Sequence, residues 1–254
     1  MTDKSRYSTK IGSSTSDTTK LRIRGKDTLE ELVGHYTFSE AFYLAVTGLR
    51  PSTAQLRIVD AALVVMLDHG LTPSALVARL VSDSLPNDPQ VAIAAGVMMV
   101  GDKFAGTVSG AARLAHEGAQ HEDGASWARR VAEDAHAERR RLPGFGHPYF
   151  SPHDPRSERL FGIARETGLS GVFVERILQL SAAIDRVAGK RVTLNVTGAL
   201  GAVLLEAAFP LNAARGLVAV SRAAGLCAHV VEEQSKPITP HIIEVGTRIP
   251  YEDA

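Results

Sequence analysis

From Thr37 to Gln234 the chain is a nearly unbroken succession of helix starts and helix stops, and this limits the fold more than any other feature. Thr37-Phe-Ser-Glu40 has capping-box spacing ahead of an apolar run that Gly48 ends. Between Thr53 and Asp68, the residues Leu56, Val59, Leu63 and Met66 recur at helical intervals. Gly70 breaks the pattern and Thr72-Pro73 restarts it, with Ala75, Leu76, Leu80 and Val81 as the stripe. Asn87-Asp88-Pro89 opens a segment, Val91 to Val100, that is apolar on nearly every side and is expected at the centre of the core. After an interruption at 101–109, small residues resume to His116, and Ser126 to Arg141 reads as a charged, solvated helix. Further helices are expected over 154–166, 172–188, 195–208 and 212–234. Only 21–27 alternates as a strand would, and the proline-containing tail from Lys236 has no helical pattern. With no βαβ alternation and no internal repeat, the expected fold class is all-α.

Composition removes several functions. The 254 residues suffice for one large domain or two modest ones. Basic and acidic residues balance at 28 each, leaving no footprint for nucleic acid or an anionic membrane. No apolar run reaches the roughly 18 residues of a spanning helix, and the polar start lacks a signal-peptide core. Cys227 is the single cysteine, which suits a reducing cytoplasm, and its apolar neighbours suggest packing. No phosphate-loop, dinucleotide or zinc spacing occurs, and the histidines form no i, i+4 pair, so neither a metal site nor a tightly bound cofactor is expected.

The densest local signal is 142–161, where Leu-Pro-Gly-Phe-Gly-His-Pro-Tyr-Phe gives way to Asp154-Pro-Arg156. Asp154 can cap a helix, Pro155 fits its first position, and Arg156 falls in the first turn among free backbone N–H groups. A loop histidine, His147, beside an arginine at a helix N-terminus suits a carboxylate ligand. An ordinary helix-to-helix connector has much the same composition.

Gly144-Phe-Gly-His-Pro148 followed by Asp154-Pro-Arg156 resembles the signature loop of the citrate synthase superfamily, and in particular of its short citryl-CoA lyase-type members. Other stretches match in order: Arg24-Gly-Lys-Asp27, Phe38-Ser-Glu-Ala41 with Gly48-Leu-Arg-Pro51, Asp68-His-Gly70, Gly101-Asp-Lys-Phe104, Asn195-Val-Thr-Gly-Ala199, and Arg222-Ala-Ala-Gly-Leu226 with His229. The resemblance implies a citrate synthase-like homodimer. Its large helical domain would be 1–109 with 209–254, and its smaller mobile domain 110–208. It implies that His147 moves a proton at the oxygen of the oxo-acid, that His69 hydrogen-bonds that acid, and that Arg156 and Arg222 grip its carboxylates. Guanidinium suits the last task because it is always charged and bidentate. Coenzyme A would lie along Gly144, Phe145 and Gly146, with Arg139, Arg140 and Arg141 replacing a cation absent after His147. A third arginine, donated by the partner in the family, falls near His241 or Arg248.

Two departures stand out. The family's carbon base, an aspartate, aligns with Thr197, and its enolate-stabilising histidine falls at Thr107-Val-Ser109, where Ser109 is the candidate donor. Losing general-base assistance costs about 10²–10⁴-fold in rate. Water or a nearby side chain would protonate the released enolate, and Asp102, Lys103 and Asp154 are the ionisable residues nearest in the motifs. The implied activity is retro-aldol cleavage of a citryl-CoA-like thioester to acetyl-CoA and a 2-oxo acid, which asks less of the chain than condensation. A condensing synthase for an unusual oxo-acid and a silent CoA- or carboxylate-binding paralogue are the alternatives. In each case the ligands are an acyl-CoA thioester and an oxo-acid.

Overall fold

A computed structural model describes residues 8–14, 16, 19–101 and 105–253. The fold is all-α, apart from a short antiparallel hairpin of β1 (Arg22–Ile23) and β2 (Lys26–Asp27). The hairpin turn serves the first helix, α1 (Phe38–Thr47). Arg24 donates from Nε to the Ala45 carbonyl at 2.8 Å and from Nη2 to that of Val46 at 3.2 Å. A cation is thereby placed on unpaired carbonyls at the negative end of the helix dipole. Asp27 caps the wide turn Thr28–Leu32. Thr37 and Glu40 form the expected capping box, and Gly48 closes α1 in the left-handed conformation.

The next three helices are α2 (Thr53–Leu67), α3 (Pro73–Ser84) and α4 (Pro89–Met98). They pack with α10 (Ala214–Ser235). A second set, α5 (Val108–Ala119), α6 (Gly124–Ala137), α7 (Pro155–Glu166), α8 (Val172–Ala188) and α9 (Val196–Glu206), packs mainly on itself. The main hydrophobic core runs through both sets, from Tyr43 and Met66 to Trp127, Leu200 and Leu217. Helix α9 lies deepest: every residue from Val196 to Leu204 is buried. The Tyr43 hydroxyl and the Gln55 amide both donate to the Ala207 carbonyl at its end, at 2.9 and 3.1 Å.

Four expectations are corrected. Helix α4 is not central. It buries Ala92 and Gly96 against α3 and α10 but leaves Val91 and Met98 exposed, because all-round apolarity needs cover on every side and the described residues cover one. Helix α6 is amphipathic rather than solvated, burying Trp127, Ala128, Ala132 and Ala135. Cys227 is exposed on the outer side of α10. The tail forms a further helix, α11 (Thr239–Thr247), in which Pro240 occupies the first turn, where a missing N–H costs nothing. Helix α10 with its preceding turn is long and apolar enough to cross a membrane. It nonetheless buries Leu217, Arg222, Leu226 and Glu233 inside the bundle, as a core helix does.

Two glycines set the spacing around α10. A Cβ on Gly96 would meet the Leu226 side chain and the Ser74 carbonyl at 2.7 Å each. One on Gly225 would overlap the Leu67 carbonyl at the end of α2. Neither backbone carbonyl is free to withdraw. Overpacking costs about 1–3 kcal/mol, so Gly225→Ala is expected to destabilise the protein by at least that much in urea unfolding. A change below about 0.5 kcal/mol would show that α2 and α10 are not in this contact.

Candidate functional site

The loop around His147 is clamped by the segment leading into α9. The Gly146 amide donates to the Thr193 carbonyl at 2.7 Å, the Asn195 amide to that of Gly144 at 2.9 Å, and the Asn195 Nδ2 to that of Gly146 at 2.8 Å. Gly144 has φ +91°, and a Cβ there would lie 2.7 Å from Gly198 Cα. Only glycine lets the two segments approach this closely.

Beyond the loop, Asp154 caps α7 and fixes the first turn of that helix against α9. Its Oδ1 accepts from the Arg156 amide at 3.1 Å and Arg156 Nε at 2.9 Å. Its Oδ2 accepts from Arg156 Nη2 at 2.8 Å and from the Val196 amide at 3.0 Å. Burial pushes this carboxyl up, but the Arg156 hydrogen bonds and charge outweigh it and hold it below the usual range. Arg156 also stacks on Phe150, with 4.6 Å from guanidinium to ring centroid, and brings Nη2 to 3.3 Å from His147 Nε2.

The protonation of His147 is set by its neighbours. Its Nδ1 accepts from the Tyr149 and Phe150 amides at 3.1 and 3.0 Å. Those two groups can only donate, and together they outweigh the single longer approach of Arg156 Nη2 to Nε2, so the ring hydrogen sits on Nε2. Burial, aided by Arg156, lowers the His147 pKa. His69 is arranged alike: its Nδ1 faces Arg222 Nη2 at 2.6 Å, again a pure donor, so its hydrogen also lies on Nε2. Burial first, then Arg222 and Arg156, push His69 down to about 4. At neutral pH both imidazoles are uncharged hydrogen-bond donors.

One cavity, about 1650 Å³, is lined by His69, His147, Arg156, Arg222, Thr197 and the Gly144-Phe145-Gly146 backbone. Arg222 is 3 % exposed, and its Nη1 is buried with no hydrogen-bond partner among the described residues, 3.5 Å from Asp68 Oδ1. Two guanidinium groups and two Nε2–H groups around one space complement a small polycarboxylate with a carbonyl or hydroxyl oxygen.

Other expected residues lie differently. Ser109 is in the first turn of α5 and does not line the cavity; Thr107 does. Thr197 Oγ1 donates to Asn195 Oδ1 at 2.7 Å, and Thr107 Oγ1 lies 2.8 Å from Thr197 Oγ1. The Asn195 oxygen can only accept, so Thr197 spends its proton there and takes that of Thr107. Neither hydroxyl proton is left for a thioester oxygen, and Thr197 is no base. Arg140 and Arg141 reach the cavity rim and Arg139 does not. Lys190, unremarked in the sequence because it comes after a helix stop, joins them. His241 and Arg248 pair with Glu244 on exposed α11, outside the cavity. Asp102 and Lys103 lie outside the described residues.

The family model for the citrate synthase C-terminal domain matches residues 46–243. The chain belongs to the citrate synthase family. Citrate synthase of Thermoplasma acidophilum is 26% identical over 220 residues, covering 83% of this chain and 56% of that protein. Citrate synthase of Saccharolobus solfataricus is 25% identical, over 83% of this chain and 57% of its own length. The chain thus spans little more than half of these relatives. Among solved structures, citryl-CoA lyase from Hydrogenobacter thermophilus superposes with a TM-score of 0.88 at 31% identity, covering 98% of this chain and 95% of that one. ATP citrate lyase from Methanothrix soehngenii, solved with citrate and coenzyme A, shares the fold with a TM-score of 0.79 at 18% identity, over 100% of this chain and 41% of that one.

The depressed His69 pKa has a measurable consequence. The unfolded chain binds this proton near pH ~6.5, the folded protein only near about 4. Between these values the unfolded state holds more protons, so stability falls as pH falls across the window and the loss is complete below it. His69→Gln removes this share. In urea unfolding, the stability of the native protein relative to His69→Gln is expected to decline from pH 7.5 to 4.5. A difference that stays flat over that range would contradict the buried, neutral imidazole.

Proposed function

We propose that the protein is an acyl-CoA carbon–carbon lyase that splits citryl-CoA, or a similar 3-hydroxy-3-carboxyacyl-CoA, into acetyl-CoA and a 2-oxo acid such as oxaloacetate. The observation that carries this reading is the convergence of His69, His147, Arg156 and Arg222 on one cavity, all presenting donors. Arg156 and Arg222 hold the carboxylates. The two Nε2–H groups face the oxygen that is hydroxyl in the thioester and carbonyl in the oxo-acid.

The tautomer of His147 defines its part. A neutral imidazole whose Nδ1 is held by backbone amides polarises a carbonyl through Nε2–H. In both directions Nε2 keeps its hydrogen and donates it as a hydrogen bond to the substrate oxygen while alkoxide charge develops there; in cleavage the hydroxyl proton passes to water in the cavity as the carbon–carbon bond breaks. The Tyr149 and Phe150 amides hold Nδ1 and so keep the hydrogen on Nε2, toward that oxygen. The enolate of acetyl-CoA then takes a proton at carbon from water in the cavity. Because Thr197 cannot serve as the carbon base, this last exchange is slow in both directions by microscopic reversibility. Cleavage is therefore preferred over condensation on the end-to-end likeness to a citryl-CoA lyase, not on the missing aspartate.

Coenzyme A is read as a substrate portion, lying along Gly144-Phe145-Gly146 with its phosphates toward Arg140, Arg141 and Lys190. A second copy of the chain is read as covering the open apolar side of α4 and α10, where Val91, Met98 and Val231 are exposed. The reaction suits the cytoplasm expected from composition. A silent CoA- or carboxylate-binding protein is the competing reading, favoured by the closed Thr107–Thr197–Asn195 chain.

Incubation with (3S)-citryl-CoA should release oxaloacetate, and His147→Ala should slow the release by about 10²–10³-fold. Binding of coenzyme A and oxaloacetate without release supports the silent reading. Neither release nor calorimetric binding of either ligand overturns both.

A further inference from the structure

We propose that His229 is a positioning residue: it holds the Asp68 carboxylate away from Arg222, so that Arg222 Nη1 keeps its hydrogens for a substrate carboxylate. This rests on the reading of Arg222 as a carboxylate grip.

The placement starts from helix geometry. Arg222, Gly225 and His229 fall at i, i+3 and i+7 on one face of α10. Gly225 lets that face meet the end of α2, where Asp68 leaves the helix in an extended conformation. Asp68 therefore lies between Arg222 and His229. It is 3.5 Å from Arg222 Nη1, too far and too poorly aligned for a hydrogen bond, and 2.8 Å from His229 Nε2. Its other oxygen accepts the Gly70 amide at 2.8 Å. Both oxygens are thus held from directions other than that of Arg222.

The tautomer of His229 is imposed from behind. Arg79 Nε, a pure donor, lies 3.2 Å from His229 Nδ1, which must accept. The hydrogen is then on Nε2, pointing at Asp68. Arg79 is itself fixed: 2 % exposed, it donates to Glu233 Oε2 at 2.9 Å and pairs with Glu232. Glu233 Oε1 accepts the Ile238 and Thr239 amides at 2.9 and 3.0 Å, at the start of α11. An oriented chain, Glu233–Arg79–His229–Asp68, starts behind the cavity and ends at Asp68 in its wall. Neither His229 nor Arg79 lines the cavity. Without the His229 donor, the nearest charged partner of Asp68 Oδ1 among the described residues is Arg222 Nη1. Closing on it would neutralise the grip.

Two conservative variants separate this role from plain packing. His229→Asn keeps a short polar group near Arg79 but cannot reach Asp68. His229→Gln returns an amide donor at the distance of Nε2. By calorimetry, His229→Asn is expected to bind oxaloacetate about tenfold more weakly, with coenzyme A binding unchanged. His229→Gln is expected to lie within about threefold of the native protein. Native-like oxaloacetate binding by His229→Asn, while Arg222→Ala loses it, overturns the positioning role and leaves the site reading standing. Native-like binding by Arg222→Ala overturns the site reading and this inference with it. Equal weakening of oxaloacetate and coenzyme A by both His229 variants marks a general structural role and also overturns the proposal.

Discussion

The Asp154 carboxylate is the constraint on which the candidate site depends. It is 2 % exposed and accepts four hydrogen bonds, from the amides of Arg156 and Val196 and from two nitrogens of the Arg156 guanidinium. A buried charge is tolerable only when paired and fully hydrogen-bonded, and breaking such a pair costs about 3–5 kcal/mol. The same contacts start α7, join it to α9 and aim Arg156 at His147. The geometry of the candidate site and local stability are therefore one arrangement here. The loop at 142–150 adds the second half, since its backbone lies against 193–195 and its own amides choose the His147 tautomer.

Most of the helical framework was legible because it is signalled locally. The Thr37–Glu40 capping box and the Asp154-Pro155 start act within a single turn. Misreadings came where tertiary context decides. All-round apolarity placed α4 in the core, although α3 and α10 cover one face of it and Val91 and Met98 on the other stay exposed among the described residues. Charge obscured the buried stripe of α6, and prolines obscured α11, where Pro240 begins a helix instead of preventing one.

The site was legible as a motif and only in part as chemistry. His147 and Arg156, nine residues apart in sequence, meet because Asp154 turns the arginine back over the loop. His69 and Arg222 meet because Gly225 admits the end of α2. Ser109 was a reasonable candidate by alignment, yet the start of α5 at Val108 directs Thr107 to the cavity instead. The tautomers and the Arg79–His229–Asp68 chain have no sequence signature, since they arise from side chains roughly 150 positions apart.

Both imidazoles of the candidate site are neutral donors with hydrogen on Nε2, facing one cavity with Arg156 and Arg222. Nitrogen-15 NMR of histidine-labelled protein at pH 7 reads this directly, with His147→Gln and His69→Gln assigning the signals. A protonated Nε2 and a bare Nδ1 at both positions is the expected result. A hydrogen on Nδ1 of His147, or a doubly protonated ring at either site, would contradict the account.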